Sequence, residues 1–255
     1  MGQVPRAKPW LLLGDGQLAL HLRTYLRQLD IPCHQWSRRQ GWHETPPPGG
    51  APEPTAALGA FDRVLLAIRD DALADFVSRH ATSEGPTWVH FSGSRRIEGA
   101  WSAHPLCTFG PEPYEPAVYP TIPFVVESEG PRFDELLPGL GNPSVAIPAA
   151  DKPLYHALCV AAGNLTTLLW QRFFAELEGR WGIDPELVAP YLCQIAANLQ
   201  SADRQRALTG PIARADRETI DQNVEALDAA HLDDLAQIYR VFVDSTQPVA
   251  RETAA

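Results

Sequence analysis

The chain has 255 residues, 45% of them hydrophobic and 20% charged, enough apolar material for one large buried core or two modest ones. A formal net charge of −10 excludes an extended phosphate-binding surface, because nucleic-acid binders carry a basic stripe that releases counterions. No apolar run approaches the roughly 20 residues that span a bilayer, and no basic segment followed by an apolar run marks a secretion signal. No membrane and no nucleic acid is therefore expected as a partner, and a cytoplasmic location is expected.

From Pro9 to about Ala150, short apolar runs alternate with polar or helix-like pieces: "WLLLG", "PCHQWS", "RVLLAI", "TWVHFSG" and "PFVVES". Their lengths and turn-rich flanks predict buried strands of a mostly parallel sheet. The first is followed at once by "LALHLRTYLRQL", a helix. Between the second and third runs lies "TPPPGGAPEPT", Thr45 to Thr55, which cannot be helical because proline lacks the amide donor, so a loop replaces the crossover helix. After "NPSVAIPAADKP" the pattern changes to three- and four-residue spacing, and a long helix with a broad apolar face is expected from Leu154 to about Leu177, through Leu158, Leu165, Leu168, Leu169 and Phe173. Helices over Pro185 to Leu208, Asp216 to Ala229 and His231 to about Asp244 follow, and "QPVARETAA" reads as a frayed tail. The predicted fold is an α/β Rossmann-type dinucleotide-binding domain over residues 1–148, then an all-helical domain over 149–255. Cys33, Cys107, Cys159 and Cys193 show no metal or disulfide spacing and are expected as buried small apolar residues.

The sharpest motif is Gly14-Asp15-Gly16-Gln17-Leu18-Ala19, a GxGxxA between strand and helix. In a dinucleotide-binding unit the first glycine allows the tight turn and the second leaves room for a pyrophosphate. The small third residue lets the helix approach the strand, while free amides and the helix dipole hold the anion. The plainer alternative is a tight turn alone. About 20 residues on, where an NAD site carries a carboxylate, stand Ser37, Arg38 and Arg39, which suit a 2′-phosphate and point to NADP; solvation of a loop is the competing role. Arg6, Lys8, Arg23, Arg27, Arg38 and Arg39 outnumber Asp15 and Asp30 in the first 43 residues, a favourable field for a phosphate-rich cofactor.

Further strand ends bring other candidates to the carboxyl edge of the sheet. Ile68 and Arg69 are placed against the cofactor, and Asp70 is expected to cap the next helix. Ser92 and Gly93 would let a nicotinamide or substrate come close, and His104 either lines the cleft or bonds structurally.

Together, "GDGQLA", "HFSG", "HPLCTF", "DKPLYHALCVAAGNL" and "ALTGPIARADRET" resemble the two-domain family described as Rossmann-like plus domain of unknown function 2520. These are relatives of 6-phosphogluconate dehydrogenase, β-hydroxyacid dehydrogenases and pyrroline-5-carboxylate reductase. The resemblance spans nearly the whole chain and implies an NADP-linked reductase fold whose helical C-terminal domain, of the 6-phosphogluconate dehydrogenase type, commonly mediates dimerisation. The chain departs from the family at Ala215, where a glycine is usual, and at Asn223, where a histidine is usual. In the related β-hydroxyacid dehydrogenases a lysine and, one turn on, an asparagine face the nicotinamide. Here the pair is Lys152 and His156, with Asn164 eight residues beyond, about 80° further round an α-helix, beside Gly163.

Hydride transfer to a carbonyl or imine needs a proton donor and fixed donors at the developing charge. His156 or Lys152 could give the proton, and Asn164 could position the substrate or the carboxamide. Arg214 could clamp a substrate carboxylate, or pair with Asp216 or Glu218, and Asp216 could cap the next helix. The expectation is an NADPH-dependent reductase of a small keto or imino acid, homodimeric through its helical domain. The rival is a non-catalytic NADP(H)-binding sensor or interaction protein.

Overall fold

The computed structural model describes residues 8–44, 53–82, 84–201 and 206–246; most of the Thr45 to Thr55 loop and the expected frayed tail lie outside them. Cα packing divides the chain into two compact units, residues 1–170 and 171–255.

The first unit is built on one eight-stranded sheet in the order β3-β2-β1-β4-β5-β6-β7-β8. Its strands are β1 (Trp10–Leu13), β2 (Cys33–Ser37), β3 (Gly41–Trp42), β4 (Arg63–Leu66), β5 (Thr87–His90), β6 (Trp101–Pro105), β7 (Phe124–Glu127) and β8 (Ser144–Ile147). Neighbours run parallel except β2–β3 and β6–β7. The helices are α1 (Gln17–Gln28), α2 (Asp70–His80), the short α3 (Phe133–Leu136) and α4 (Lys152–Val160).

Alternation along the strands explains why they read as continuous apolar runs. Trp10, Leu12, Leu65 and Val89 enter a core on one face with Ala19, Leu22, Tyr25 and Leu26 of α1. Leu11, Leu13, Val64, Leu66 and Trp88 enter another with Leu73 and Val77 of α2. A central strand buried on both sides has no solvent face to supply polar residues. The expected Rossmann-type layering is thus present. In place of the crossover helix, the described part of the loop between β3 and β4 holds a 3-10 turn, Pro54–Ala60.

The five strands predicted from apolar runs all form, and β3, β6 and β8 are additional. The sequence of β6, "WSAHP", is rich in small and polar residues, although Ser102 and Ala103 are buried. β8 is a short, largely exposed edge.

Pairing carries one row straight across the sheet: Leu13 lies opposite Leu66, Leu66 opposite His90 and His90 opposite Ser102. The Ala103–Val126 pair then brings Glu127 beside Ser102. Glu127, at the end of an antiparallel strand, therefore lies level with the carboxyl ends of β1, β4 and β5.

The long helix expected after residue 150 forms as α4, a π-helical turn (Ala161–Leu165) and α5 (Thr166–Trp181). The division between the two units falls inside α5, beyond the change from strands to helices near 148–152. The apolar stripe predicted along this helix exists but is exposed: Leu158, Leu165 and Leu168 are each more than half accessible. The second unit contains the rest of α5, α6 (Pro185–Gln200), α7 (Gly210–Ala213), α8 (Arg217–Ala229) and α9 (Asp233–Thr246), so it is all helical, as expected. Asp216 caps α8 as predicted, accepting from the Thr219 amide at 3.2 Å and hydroxyl at 2.9 Å. None of the four cysteines is fully buried: Cys33 and Cys159 are half-buried, and Cys107 and Cys193 are exposed. Cys193 lies on α6, where Leu187 and Leu199 are exposed as well, and Cys107 follows β6 in a surface turn. Among the described residues no helix is long and apolar enough to cross a membrane.

Helix α7 ends in a Schellman turn: the Ala215 amide donates to Ile212 and the Asp216 amide to Pro211. Ala215 takes the left-handed conformation this requires, φ 53°. That accounts for the glycine usual here in the resembling family, since an L side chain in this region costs about 1–2 kcal/mol. Ala215→Gly is expected to stabilise the protein by up to about 1 kcal/mol once the greater freedom of unfolded glycine is subtracted, read as a higher urea midpoint at unchanged slope.

Candidate functional site

The turn after β1 is shaped by two glycines doing different jobs. Gly14 is buried at φ 131°, and a Cβ there would sit 2.1 Å from the Ala67 carbonyl oxygen, so the turn presses on the end of β4. Gly16 is the extended N-cap of α1, and an added Cβ would meet no atom within 4 Å. The first intrahelical bond runs from Leu20 to Gly16, which leaves the amides of Gln17, Leu18 and Ala19 as the open donors of the first turn. Ala19 is fully buried, allowing the close helix–strand contact expected of a small residue. A cavity of about 290 Å³ lies here, lined by Asp15, Gly16, Gln17, Leu20, Arg23, Gln35 and others. Open amides, space above Gly16 and no acidic residue in the first turn fit a phosphate-bearing dinucleotide.

The residues expected to read a 2′-phosphate are differently employed. Ser37 is buried, and its hydroxyl accepts from the Gln40 amide at 3.1 Å and lies 3.4 Å from His43 Nε2, so it serves the β2–β3 hairpin. Arg39 pairs with Asp15 at 3.0 Å, tying the hairpin to the glycine turn. Arg38 is exposed and, among the described residues, forms no ion pair. The positive field read from the first 43 residues is partly neutralised by the next one, because Glu44 pairs with Arg23 at 3.1 Å and with Arg27.

A second group gathers at the carboxyl edge. Asp70 does not cap α2 through its side chain, contrary to expectation: Arg69 is the N-cap residue, and the Asp70 carboxylate instead accepts from the Ser92 hydroxyl at 2.6 Å. Ile68 is half-buried against the α2-side core, and Arg69 pairs with Asp71. Ser92 Oγ also accepts from the Arg95 amide at 3.1 Å, which fixes the loop around Gly93. A Cβ on Gly93 would stand 2.4 Å from His156 Nδ1 and 2.9 Å from His104 Nε2, so both imidazoles pack on this glycine. The His104 and His156 rings meet edge to face at 5.6 Å, and His104 Nδ1 is 2.8 Å from the Tyr155 hydroxyl.

Lys152 is 3% exposed rather than solvated, and its ammonium donates to Glu127 Oε1 at 3.0 Å, with both side chains buried. Burial pushes the Lys152 ammonium below its usual range, opposed by the hydrogen bond to Glu127. Burial, with the charges of His156 and Lys152, brings His104 down to about 4, against the pull of Asp70. Burial and Lys152 bring His90 down to about 3. His90 Nδ1 accepts from the Ser92 amide at 3.3 Å, so the neutral ring carries its proton on Nε2, a buried atom without a partner among the described residues. His156 Nδ1 is likewise buried and unpartnered there.

The structure thus brings together Ser92, Gly93, His104, Lys152 and His156. Asn164 is exposed, and its side chain forms no hydrogen bond among the described residues. It lies in the π-helical turn, where the 100° step used to place it no longer holds. Arg214 is exposed in the second unit. Asn223 donates to the Tyr239 hydroxyl at 3.0 Å. Sequence reasoning missed Glu127, Tyr155 and His90. A carboxylate closing the apolar run "PFVVES" was the one available signal for Glu127.

Because His90 and His104 titrate lower folded than unfolded, the unfolded chain binds more protons below about pH 6.5. Their contribution is therefore fully present above that value and is lost as pH falls towards 4. Urea unfolding at descending pH should show this decline, and His104→Gln should flatten it. Gly93→Ala should displace both imidazoles, visible as shifts of their ¹⁵N resonances.

Residues 122–246 match the model of the family described as Domain of unknown function (DUF2520). No curated protein matches the chain. Among solved structures, BF3122 from Bacteroides fragilis, a candidate NADP oxidoreductase, superposes with a TM-score of 0.71 at 20% identity, over 94% of this chain and 98% of its own. A reductive aminase from Aspergillus terreus in complex with NADPH and ethyl levulinate gives 0.60 at 15%, covering 94% and 95%. The 1-pyrroline-5-carboxylate reductase of Streptococcus pyogenes gives 0.56 at 14%, covering 94% and 98%. At these identities the likeness is one of fold. Residues 122–246, just under half of the chain and including the last two strands of the sheet, are similar to the DUF2520 family, and the chain as a whole shares a Rossmann-like fold with these solved structures.

Proposed function

We propose that the protein is an NADPH-dependent reductase of a small keto or imino acid, acting as a homodimer through its helical region. The observation that carries this reading is the open first turn of α1, with unobstructed space over Gly16 beside a Gly14 that tolerates no side chain. The neighbours named for NADP or NADPH and for imine chemistry support the choice of cofactor and reaction.

In this reading the amides of Gln17, Leu18 and Ala19 bind the diphosphate, and Arg38, exposed and without an ion pair among the described residues, meets the 2′-phosphate. Ile68 and Arg69 border the cofactor. A bound reduced nicotinamide supplies the hydride. Ser92 and Gly93 leave room for the reacting carbon. Lys152 is engaged by Glu127, so the proton for the carbonyl oxygen or imine nitrogen comes from His156, with His104 held neutral beside it. Asn164 would orient the substrate. The charge of Lys152 is offset by Glu127, and Arg214 is the cation that the sequence offers for a substrate carboxylate. The exposed leucines at 154, 158, 165 and 168 supply the apolar area of a dimer contact.

The test is titration with NADPH and NADH, then a panel of keto and imino acids followed by NADPH oxidation. NADPH should bind more tightly, Arg38→Ala should narrow the gap roughly tenfold, and at least one compound should be reduced. Binding without any turnover would favour the sensor; no binding would defeat both readings.

A further inference from the structure

The β2–β3 hairpin is fastened to the glycine turn at three points. The Gly14 amide donates to the Trp36 carbonyl at 3.0 Å, the buried Gln35 side chain donates to the Gly14 carbonyl at 2.8 Å, and Arg39 pairs with Asp15 at 3.0 Å. Pairing of Trp36 with Trp42 sets His43 opposite Gln35, whose carbonyl accepts the His43 amide at 3.0 Å. Opposite residues of an antiparallel pair project to one face, and alternation along β2 puts Ser37 there too. His43 Nε2 accordingly lies 3.4 Å from the Ser37 hydroxyl, and His43 and Gln35 both border the cavity that Gly16 and Gln17 line. Ser37 Oγ already accepts from the Gln40 amide, so its own proton is directed to Nε2. The neutral ring is then assigned its proton on Nδ1, which forms no hydrogen bond among the described residues.

The fixed charges that face this ring are already engaged. Arg23 donates to Gln35 at 3.2 Å and to Glu44 at 3.1 Å, and Arg39 is held by Asp15, so each guanidinium has a carboxylate of its own. Burial and Arg23, with Arg39, hold the imidazole below its usual range against the pull of Asp15 and Glu44. The group that can still add charge on this side of the cavity is therefore His43 itself. We propose that His43, beside Arg38, reads the 2′-phosphate of NADPH by taking up a proton as the cofactor binds, so that the preference for NADPH over NADH grows as pH falls from 8.5 to 6.5. This inference rests on the cofactor reading above. Without ligand the ring is neutral across that range; beside a phosphate dianion its charged form is favoured and persists to higher pH. NADH has a hydroxyl in place of the phosphate and draws no proton. The phosphate's own last proton, with an ordinary pKa of ~6, is off over most of the same range.

The full chain is titrated with NADPH and NADH at pH 8.5 and 6.5, and at pH 7 in buffers of differing ionisation enthalpy. The ratio of the two dissociation constants should grow roughly tenfold on going to the lower pH, and NADPH should bind with a net proton uptake that NADH does not show. His43→Gln should remove both effects while still binding NADPH through Arg38 and the cradle. His43→Arg, a fixed cation, should keep a preference that no longer varies with pH. A ratio that stays constant with pH, equal proton uptake for the two coenzymes, or an undiminished pH effect in His43→Gln would each overturn the assignment and leave the reductase reading intact. Binding of neither coenzyme at any pH defeats that reading and this inference with it.

Discussion

Taking an ammonium and a carboxylate out of water costs several kcal/mol per ion, recovered only when the two meet in good geometry. Among the described residues, Lys152 and Glu127 are the ion pair in which both partners are buried. The pair fastens the first residue of α4 to the last residue of β7. The next turn of α4 carries Tyr155 and His156 onto His104 and Gly93, so the convergence of those groups depends on that anchor. Removing one partner would leave the other charge stranded, a loss of about 3–5 kcal/mol. The same ammonium also acts at a distance, helping to keep His90 and His104 neutral.

The glycine turn shows a different economy. Gly14 is required because backbone meets backbone, whereas at Gly16 nothing is met at all. A fold needing only a tight turn would have use for the first constraint and none for the second. The open space at Gly16 and the free amides of Gln17, Leu18 and Ala19 are what the proposed anion cradle would use.

Much of this was legible in the sequence for a definite reason. Strands buried on both faces are largely apolar, so β1, β4, β5 and β7 stand out as runs, whereas β2, CHQWS, is more polar and only partly buried. β6 does not stand out, because Ser102, Ala103 and His104 are small or polar, and β8 is an exposed edge with no core to fill. The glycine motif and the Asp216 cap are local and could be read directly. The ion pair joins residues 25 apart, and no periodicity reports such a contact. The first 43 residues overstate the positive field because Glu44 closes on Arg23 and Arg27. Asn164 was placed by an α-helical step that the π turn interrupts. Asp70 stands at a helix start, where capping is the usual expectation, but the Ser92 hydroxyl competes for its carboxylate.

The level row from Leu13 through Leu66, His90 and Ser102 to Glu127 makes the sheet a ruler. Four inter-strand spacings of about 4.8 Å separate its ends by roughly 19 Å. An occupant gripped at the β1 end must extend over two further strands before it reaches the level of His90, so a lone inorganic anion there would leave the histidines untouched. Length, as much as charge, becomes a criterion for which molecules can engage both ends at once.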